Sequence, residues 1–497
     1  MAVDVGDKGL KANAIGYLSN LVIGVASTAP GYSLAATLGF VVAVGGVGVH
    51  APAVLLVAFV PMLLVAFGYK YLNRADPDCG TTFAWTTRAF GPWVGWLNGW
   101  AIFVADVLVM ASLSVIASTY TFELVGWDKG VTNEFAVLAG CVVWIALMTW
   151  ICYRGIELSA RIQQGLLAAE VLILGVFAVV ALYKVYANNP AGSIHPTLEW
   201  FNPFGMSLSA LVGGVLLGLF IYWGWDSGVS VNEETEAAAE SPGKAAVLST
   251  LILLLIYVIV SAAAQAYAGT GFLISHQNDV LSGLGTKVFG SPWDKLLIVA
   301  VLTSASASTQ TTILPTARTT LSMARWKAIP GVIGHVHRQY LTPSVSTLGM
   351  GALSTVWTLL LVGFDFKSQS VLGDSVTALG FAICFYYGFT GLACAWYFRN
   401  QLFRDAKTFL LVGLVPLTGA GLMFAVFVKA FLFYSKAGEN YSSPVFGIQV
   451  PIVIGIGTLL LGIPLAALCA TRYREYFGRK PETAADGALD EVVLEPA

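Results

Sequence analysis

Apolar residues in this chain run together in stretches of about twenty, separated by short polar connections, from one end to the other. A run of that length matches one helical crossing of a hydrocarbon layer about 30 Å thick. Twelve such spans are legible, at about 15–42, 51–72, 92–122, 134–153, 158–186, 206–233, 245–270, 293–324, 344–364, 374–398, 409–434 and 447–470. Several are longer than one crossing needs, which predicts tilt, kinks or helix beyond the lipid.

Composition agrees with the pattern. Hydrophobic residues make up 57% of the 497 positions and charged residues 11%, against about 25% charged in ordinary globular proteins. A soluble fold of this size would have too much surface for so few charges. The expected class is an all-α integral membrane protein, with the lipid bilayer as its surroundings. Net charge is −2 with no basic stripe, so no nucleic-acid partner is expected.

Placing the N-terminus inside puts nineteen of the 26 lysines and arginines on the cytoplasmic side, all twelve arginines among them. The other seven, Lys129, Lys184, Lys287, Lys295, Lys367, Lys429 and Lys436, fall at the outer ends. Both termini are therefore expected in the cytoplasm of a cell-membrane protein, residues 1–14 at one end and the acidic tail 471–497 at the other. No two of the six cysteines share an external loop, which predicts apolar packing rather than disulfides. Trp93, Trp96 and Trp100 read as an interfacial belt.

Two spans carry helix-breaking chemistry at their centres. In the first, Gly24-Val25-Ala26-Ser27-Thr28-Ala29-Pro30-Gly31 combines a residue without an N–H donor and one tolerant of unusual φ. In the sixth, Phe220-Ile221-Tyr222-Trp223-Gly224-Trp225-Asp226-Ser227-Gly228 follows Gly213-Gly214 and Gly218. Either break alone is also what a packed kink looks like. Spans one and six are five apart, as two five-helix repeats would require, and such paired interruptions mark transporter binding sites. Three acids lie well inside apolar runs: Asp106, Glu170 and Asp226. Each costs about 2.5–3.5 kcal/mol if charged and lipid-facing at the bilayer centre. They must face the interior, carry protons or be paired, and no Lys or Arg lies deep in any span to pair with them. Protons or a cationic substrate group are the expectation.

Further motifs carry a resemblance. Pro77-Asp78-Cys79-Gly80-Thr81-Thr82-Phe83 leads into Gly91-Pro92-Trp93-Val94-Gly95-Trp96. Gly224-Trp225-Asp226 is followed by Asn232-Glu233-Glu234-Thr235 and Ser241-Pro242-Gly243-Lys244-Ala245. Span eight ends Ala317-Arg318-Thr319-Thr320-Leu321-Ser322-Met323-Ala324-Arg325, then Pro330 and Leu341-Thr342-Pro343. In this order the chain resembles the amino acid–polyamine–organocation superfamily of permeases over nearly all of residues 15–470.

The resemblance implies a fold of two inverted five-helix repeats, 15–186 and 206–398, followed by two extra helices at 409–470. It implies secondary transport of an amino acid or related amine by alternating access, with no enzymatic activity, cofactor or metal. By position it makes Ala26, Ser27, Thr28, Ala29 and Gly31 the backbone cradle of the substrate. Phe220, with Ile221, Tyr222 and Trp223 around it, would close over that substrate, and Asp106 would contact it. Asp226 and Glu170 become proton-coupling candidates, Glu170 standing where some sodium-independent relatives have lysine. Pro30 departs from the pattern by removing one N–H from the cradle, and Trp326 stands where an aspartate is expected. Ser304, Ser306, Ser308 and Thr309 leave a sodium site open. An amino acid imported with protons, an organic amine and a permease-like sensor all remain on the table.

Overall fold

In hydrocarbon a backbone amide finds its partner only within its own segment, so each apolar run folds as helix. The computed structural model describes residues 7–277, 279–364, 370–436 and 442–484. Twelve of its helical segments are long and apolar enough to cross a membrane. Span one is split into α1 (Tyr17–Ser27) and α2 (Pro30–Ala43). Then come α3 (Ala51–Ala75), a short α4 (Thr82–Phe90), α5 (Pro92–Leu124), α6 (Glu134–Tyr153) and α7 (Ile156–Asn188). Span six is α8 (Leu208–Tyr222) with a second piece, α9 (Ser227–Ser230). The rest are α10 (Ser241–Ser275), a short α11 (Val280–Phe289), α12 (Leu296–Arg325), α13 (Ser344–Phe364), α14 (Ser370–Tyr397), α15 (Val415–Tyr434) and α16 (Val450–Arg472), with α17 (Arg474–Phe477) in the tail.

The twelve spans are those expected, with ends shifted by a few residues. Span six stops as helix at Tyr222 rather than running on to 233, and span seven extends to Ser241–Ser275 with a kink at Gly269. The connecting helices α4 and α11 are too short to read as spans, α4 being polar and α11 apolar but only 10 residues long. Spans two and seven, three and eight, and four and nine pack against each other, a pairing that two repeats five spans apart produce. Spans eleven and twelve lie along span ten. Lys367, residues 1–6 and residues 485–497 lie outside the described residues.

One expectation is corrected. Trp93 is exposed, but Trp96 is buried with its indole N–H on the Ala328 carbonyl, and Trp100 donates to the Thr458 carbonyl. Only the first tryptophan has the surroundings of a belt residue, because the other two turn inward toward the α12 exit and α16. Arg318, expected on the cytoplasmic side, lies in the last turns of α12, is fully buried and makes two hydrogen bonds, 2.8 and 3.0 Å, to Glu234, which is equally buried.

That pair belongs to a charge cluster sealing the end of the bundle that carries both termini. Lys8 reaches Asp78 at 2.7 Å and Glu233 at 2.5 Å, and its ammonium fills the nest that Asp78, Cys79 and Glu233 form. Asp78 also accepts from Ser322 (2.6 Å) and from the Trp326 indole (3.0 Å). Arg88 pairs with Asp76 at 2.6 Å and with Glu482 of the tail at 3.2 Å. The Trp326 ring lies under Arg88 and Arg479. The tryptophan that replaces an expected aspartate is thus a donor to a neighbouring aspartate and a platform for two cations.

Two outcomes follow from this cluster. Removing one member of a fully buried ion pair strands the other and costs about 3–5 kcal/mol, whereas replacing both with apolar groups is often nearly neutral. Arg318→Met should therefore lower the melting midpoint of detergent-purified protein, and Arg318→Met with Glu234→Met should recover most of the loss. A double variant as unstable as the single one would contradict this. The second outcome concerns pH. Burial alone pushes the Asp78 carboxyl up, but Lys8, Ser322 and the Gly80 N–H outweigh it and hold it down at about 2. Its unfolded value is about 3.9. A folded value below the unfolded one stabilises above about pH 4 and is lost as pH falls towards 2. The gap in melting midpoint between wild type and Asp78→Asn should stay constant from about pH 5 to 8 and shrink below about pH 4. A gap closing between pH 5 and 8 would refute the pairing.

Candidate functional site

Pro30 cannot donate to the helix ladder and disfavours helical geometry in the residue before it. Ala29 accordingly sits in the left-handed region (φ 47°, ψ 66°), and α1 ends as α2 begins. At the span-six break Trp223 is extended and Gly224 has φ 118°. A Cβ at Gly224 would lie 2.9 Å from both the carbonyl oxygen and the hydroxyl of Ser27, so only glycine permits this approach.

The two breaks touch. The Ser27 and Ser227 hydroxyls are 2.7 Å apart, and the Asn20 amide donates to the Gly228 carbonyl at 2.7 Å. Tyr257 of α10 donates to the Ile221 carbonyl at 2.6 Å and lies 3.3 Å from that of Thr28. One face of α12 supports the first break: Ser304 accepts the Tyr32 N–H, Ser308 donates to the Ser27 carbonyl, and Thr316 donates to Asp106 at 2.5 Å. Ser306 and Thr309 instead return to carbonyls of their own helix.

Two cavities lie at the breaks. A small one is lined by Ser27, Asp106, Trp223, Gly224, Asp226 and Ser227, with Ile102, Thr312, Pro315 and Tyr386 completing it. Above it, towards the end away from the termini, is a chamber of about 620 Å³ reaching Gln277 and Tyr434. Asp226 accepts from Tyr387 at 2.7 Å and has the Tyr69 and Tyr386 hydroxyls at 3.4 Å. Tyr386 accepts the Trp223 indole N–H at 2.5 Å. Glu170 stands apart, accepting the Gly31 N–H at 2.7 Å, so a carboxylate of the protein itself caps α2. All three deep acids thus have neutral hydrogen-bonding partners.

Among the residues singled out in the sequence, Ser27, Trp223, Asp106 and Asp226 meet at the small cavity, and Phe220 lines the chamber. Ala26, Ala29, Ile221 and Tyr222 are buried in packing, Tyr222 against Phe59 and Tyr257. Thr28 turns its hydroxyl back to the Val25 carbonyl, and the Gly31 amide is held by Glu170. Sequence reasoning missed Tyr69, Tyr386 and Tyr387, and placed Ser227 in the span-six break without giving it a role. The adjacent tyrosines amid the apolar run of span ten were the one visible signal.

A twelve-span bundle with two facing helix breaks has the architecture of a membrane transporter, not of an enzyme. The family model for amino acid permeases matches residues 14–458, and the chain belongs to that family. Curated relatives include the low-affinity putrescine importer PlaP of Escherichia coli (strain K12), 21% identical over 381 residues, 76% of this chain and 81% of PlaP. The human Asc-type amino acid transporter 1 is 24% identical over 433 residues, 84% of this chain and 76% of its own. The branched-chain amino acid permease BcaP of Bacillus subtilis (strain 168) is 23% identical over 327 residues, 61% of this chain and 65% of its own.

The contact between the breaks can be tested at Gly224. Gly224→Ala adds about 1–3 kcal/mol of backbone strain and pushes Ser27 away. Substrate uptake into vesicles should be lost while the protein still inserts and purifies. Gly45→Ala, whose Cβ meets open space, should leave uptake unchanged. Normal transport by Gly224→Ala would show that the breaks need not touch.

Proposed function

We propose that this chain is a secondary transporter importing a small molecule through a protonated amine, which Asp106 and Asp226 hold between the two helix breaks. The observation that carries this reading is the pairing of two acids on one small cavity whose lining, among the described residues, includes no basic side chain. An ammonium near a carboxylate in low dielectric gains far more than in water, although both partners lose hydration. With the N-terminus in the cytoplasm, the chamber faces outward and the charge cluster closes the inner side, as an importer awaiting substrate requires.

Of an amino acid and an amine lacking a carboxylate, the geometry favours the amine. The first free amides of α2 already serve Glu170 and Ser304. PlaP, a relative named for putrescine import, fits this preference. The amino-acid reading rests on the same contact seen from the other side. A substrate carboxylate has the chemistry of Glu170 and would take its place at the Gly31 N–H once Glu170 carried a proton. The relatives named for amino acids support that exchange.

Coupling is assigned to protons. Glu170 and Asp226 are titratable groups buried deep in their spans and can carry protons through the transport cycle, which supports this assignment. Accumulation in proteoliposomes should follow an imposed pH gradient and ignore sodium, and sodium-driven accumulation at constant pH would overturn the assignment. Neutralisation separates the substrates. If an amine is carried, Asp106→Asn or Asp226→Asn abolishes its binding at every pH. If an amino acid is carried, its binding survives and proton-driven accumulation fails.

A further inference from the structure

We propose that the transported amine has a single positive pole and an apolar body, and that the chamber above the acids receives that body. This rests on the amine reading above and narrows it to a class of monoamines bearing an aryl or alkyl group.

The two cavities are stages of one path. The same four segments line both. Across the span-one break Ser27 faces the small cavity and Tyr32 the chamber; on α5 the two are Asp106 and Ser112. At span six they are Trp223 and Phe220, and on α14 Tyr386 and Ile383. These helical pairs are three to six positions apart, a rise of about 4.5–9 Å, so the chamber begins within that distance of the acids. The Trp223–Tyr386 hydrogen bond forms the partition between them.

The chemistry changes across that partition. Val115, Ile116, Leu216, Leu219, Ile383 and Met423 face the chamber, with Tyr32, Thr37, Ser112, Gln277, Thr377 and Tyr434 as neutral polar neighbours, and among the described residues its lining contains no Asp, Glu, Lys, Arg or His. A second ammonium placed against this lining would meet hydroxyls and an amide but no counter-charge, and a carboxylate would meet no cation. The volume, about 620 Å³, is that of a small-molecule site and exceeds what an amine head alone needs. Acids at the base and apolar walls above suit a molecule with one charged end.

The test uses the full chain purified in detergent, with melting midpoints recorded against butylamine, hexylamine, phenylethylamine, and the four-carbon and six-carbon diamines. Apparent affinity should rise about fourfold per methylene along the monoamines, the value of one buried CH₂. Hexylamine should bind at least about tenfold more tightly than the six-carbon diamine, whose far end would be an unpaired charge. Asp226→Asn should remove the shift for every amine. Ile383→Asn should flatten the chain-length series and leave butylamine unchanged, with Leu219→Asn as the second variant if the first does not fold.

A diamine that binds as tightly as its matched monoamine overturns the inference and leaves the amine reading standing. A chain-length dependence that survives Asp226→Asn or the chamber variants also overturns it, because the alkyl chain is then entering with the lipid or detergent. If no amine, butylamine included, shifts the melting midpoint, the amine reading falls and this inference falls with it.

Discussion

An interrupted helix inside a membrane leaves amides and carbonyls that no water satisfies, and most of this structure is arranged around supplying their partners. Span one breaks because of Pro30, and four other segments close on the gap. Glu170 takes the Gly31 N–H, Ser304 the Tyr32 N–H, Ser308 donates to the Ser27 carbonyl, and Tyr257 lies between the two breaks. Ser27 is joined to Ser227, so the two gaps are bound to each other. The hydroxyls of α12 that reach these groups are four residues apart, which places them on one face of the helix. Such a junction is held by neutral hydrogen bonds of modest net strength, suited to parts that must rearrange.

Charge is kept out of this region and collected at one end of the bundle. The deep acids meet tyrosine and threonine hydroxyls and a backbone amide, whereas the ion pairs Arg318–Glu234, Lys8–Asp78 and Arg88–Asp76 lie towards the termini. The contrast has a functional sense. In the function proposed above, strong, desolvated pairs hold the inner side shut, and the weaker polar contacts at the breaks leave two acids available to a passing cation or proton. The motifs around Asp78, Glu233 and Arg318, far apart in sequence, meet in this one seal.

The seal also explains a departure visible in the sequence. Trp326 stands where the resemblance leads one to expect an aspartate, yet the cluster has an acid at this place, because Asp78 lies within 3.0 Å of its indole. A tryptophan there keeps a donor, adds a ring for Arg88 and Arg479, and ties the C-terminal segment to the loop between spans two and three. The tail is bound further through Arg88 and Glu482.

How much was legible follows from the range over which each feature is decided. The number of spans, their order and the two breaks are local: apolar length sets a crossing, and a proline or a glycine cluster sets an interruption. The depth of Asp106, Glu170 and Asp226 in apolar runs was equally plain. What they do was not, because a carboxyl's role depends on which side chains from distant helices surround it. Glu170 and Gly31, separated by 139 positions, meet only once the bundle packs. The same holds for Asp226 with Tyr387, and for the tryptophans at 96 and 100, which the sequence suggested for an interface and the fold turned inward. Sequence by itself determined a twelve-span permease broken twice at its centre. Only the tertiary structure decided that the breaks touch, that the protein's own Glu170 carboxyl group caps one of them, and that a chamber without charge among its described residues stands over two acids, because each depends on packing between segments remote along the chain.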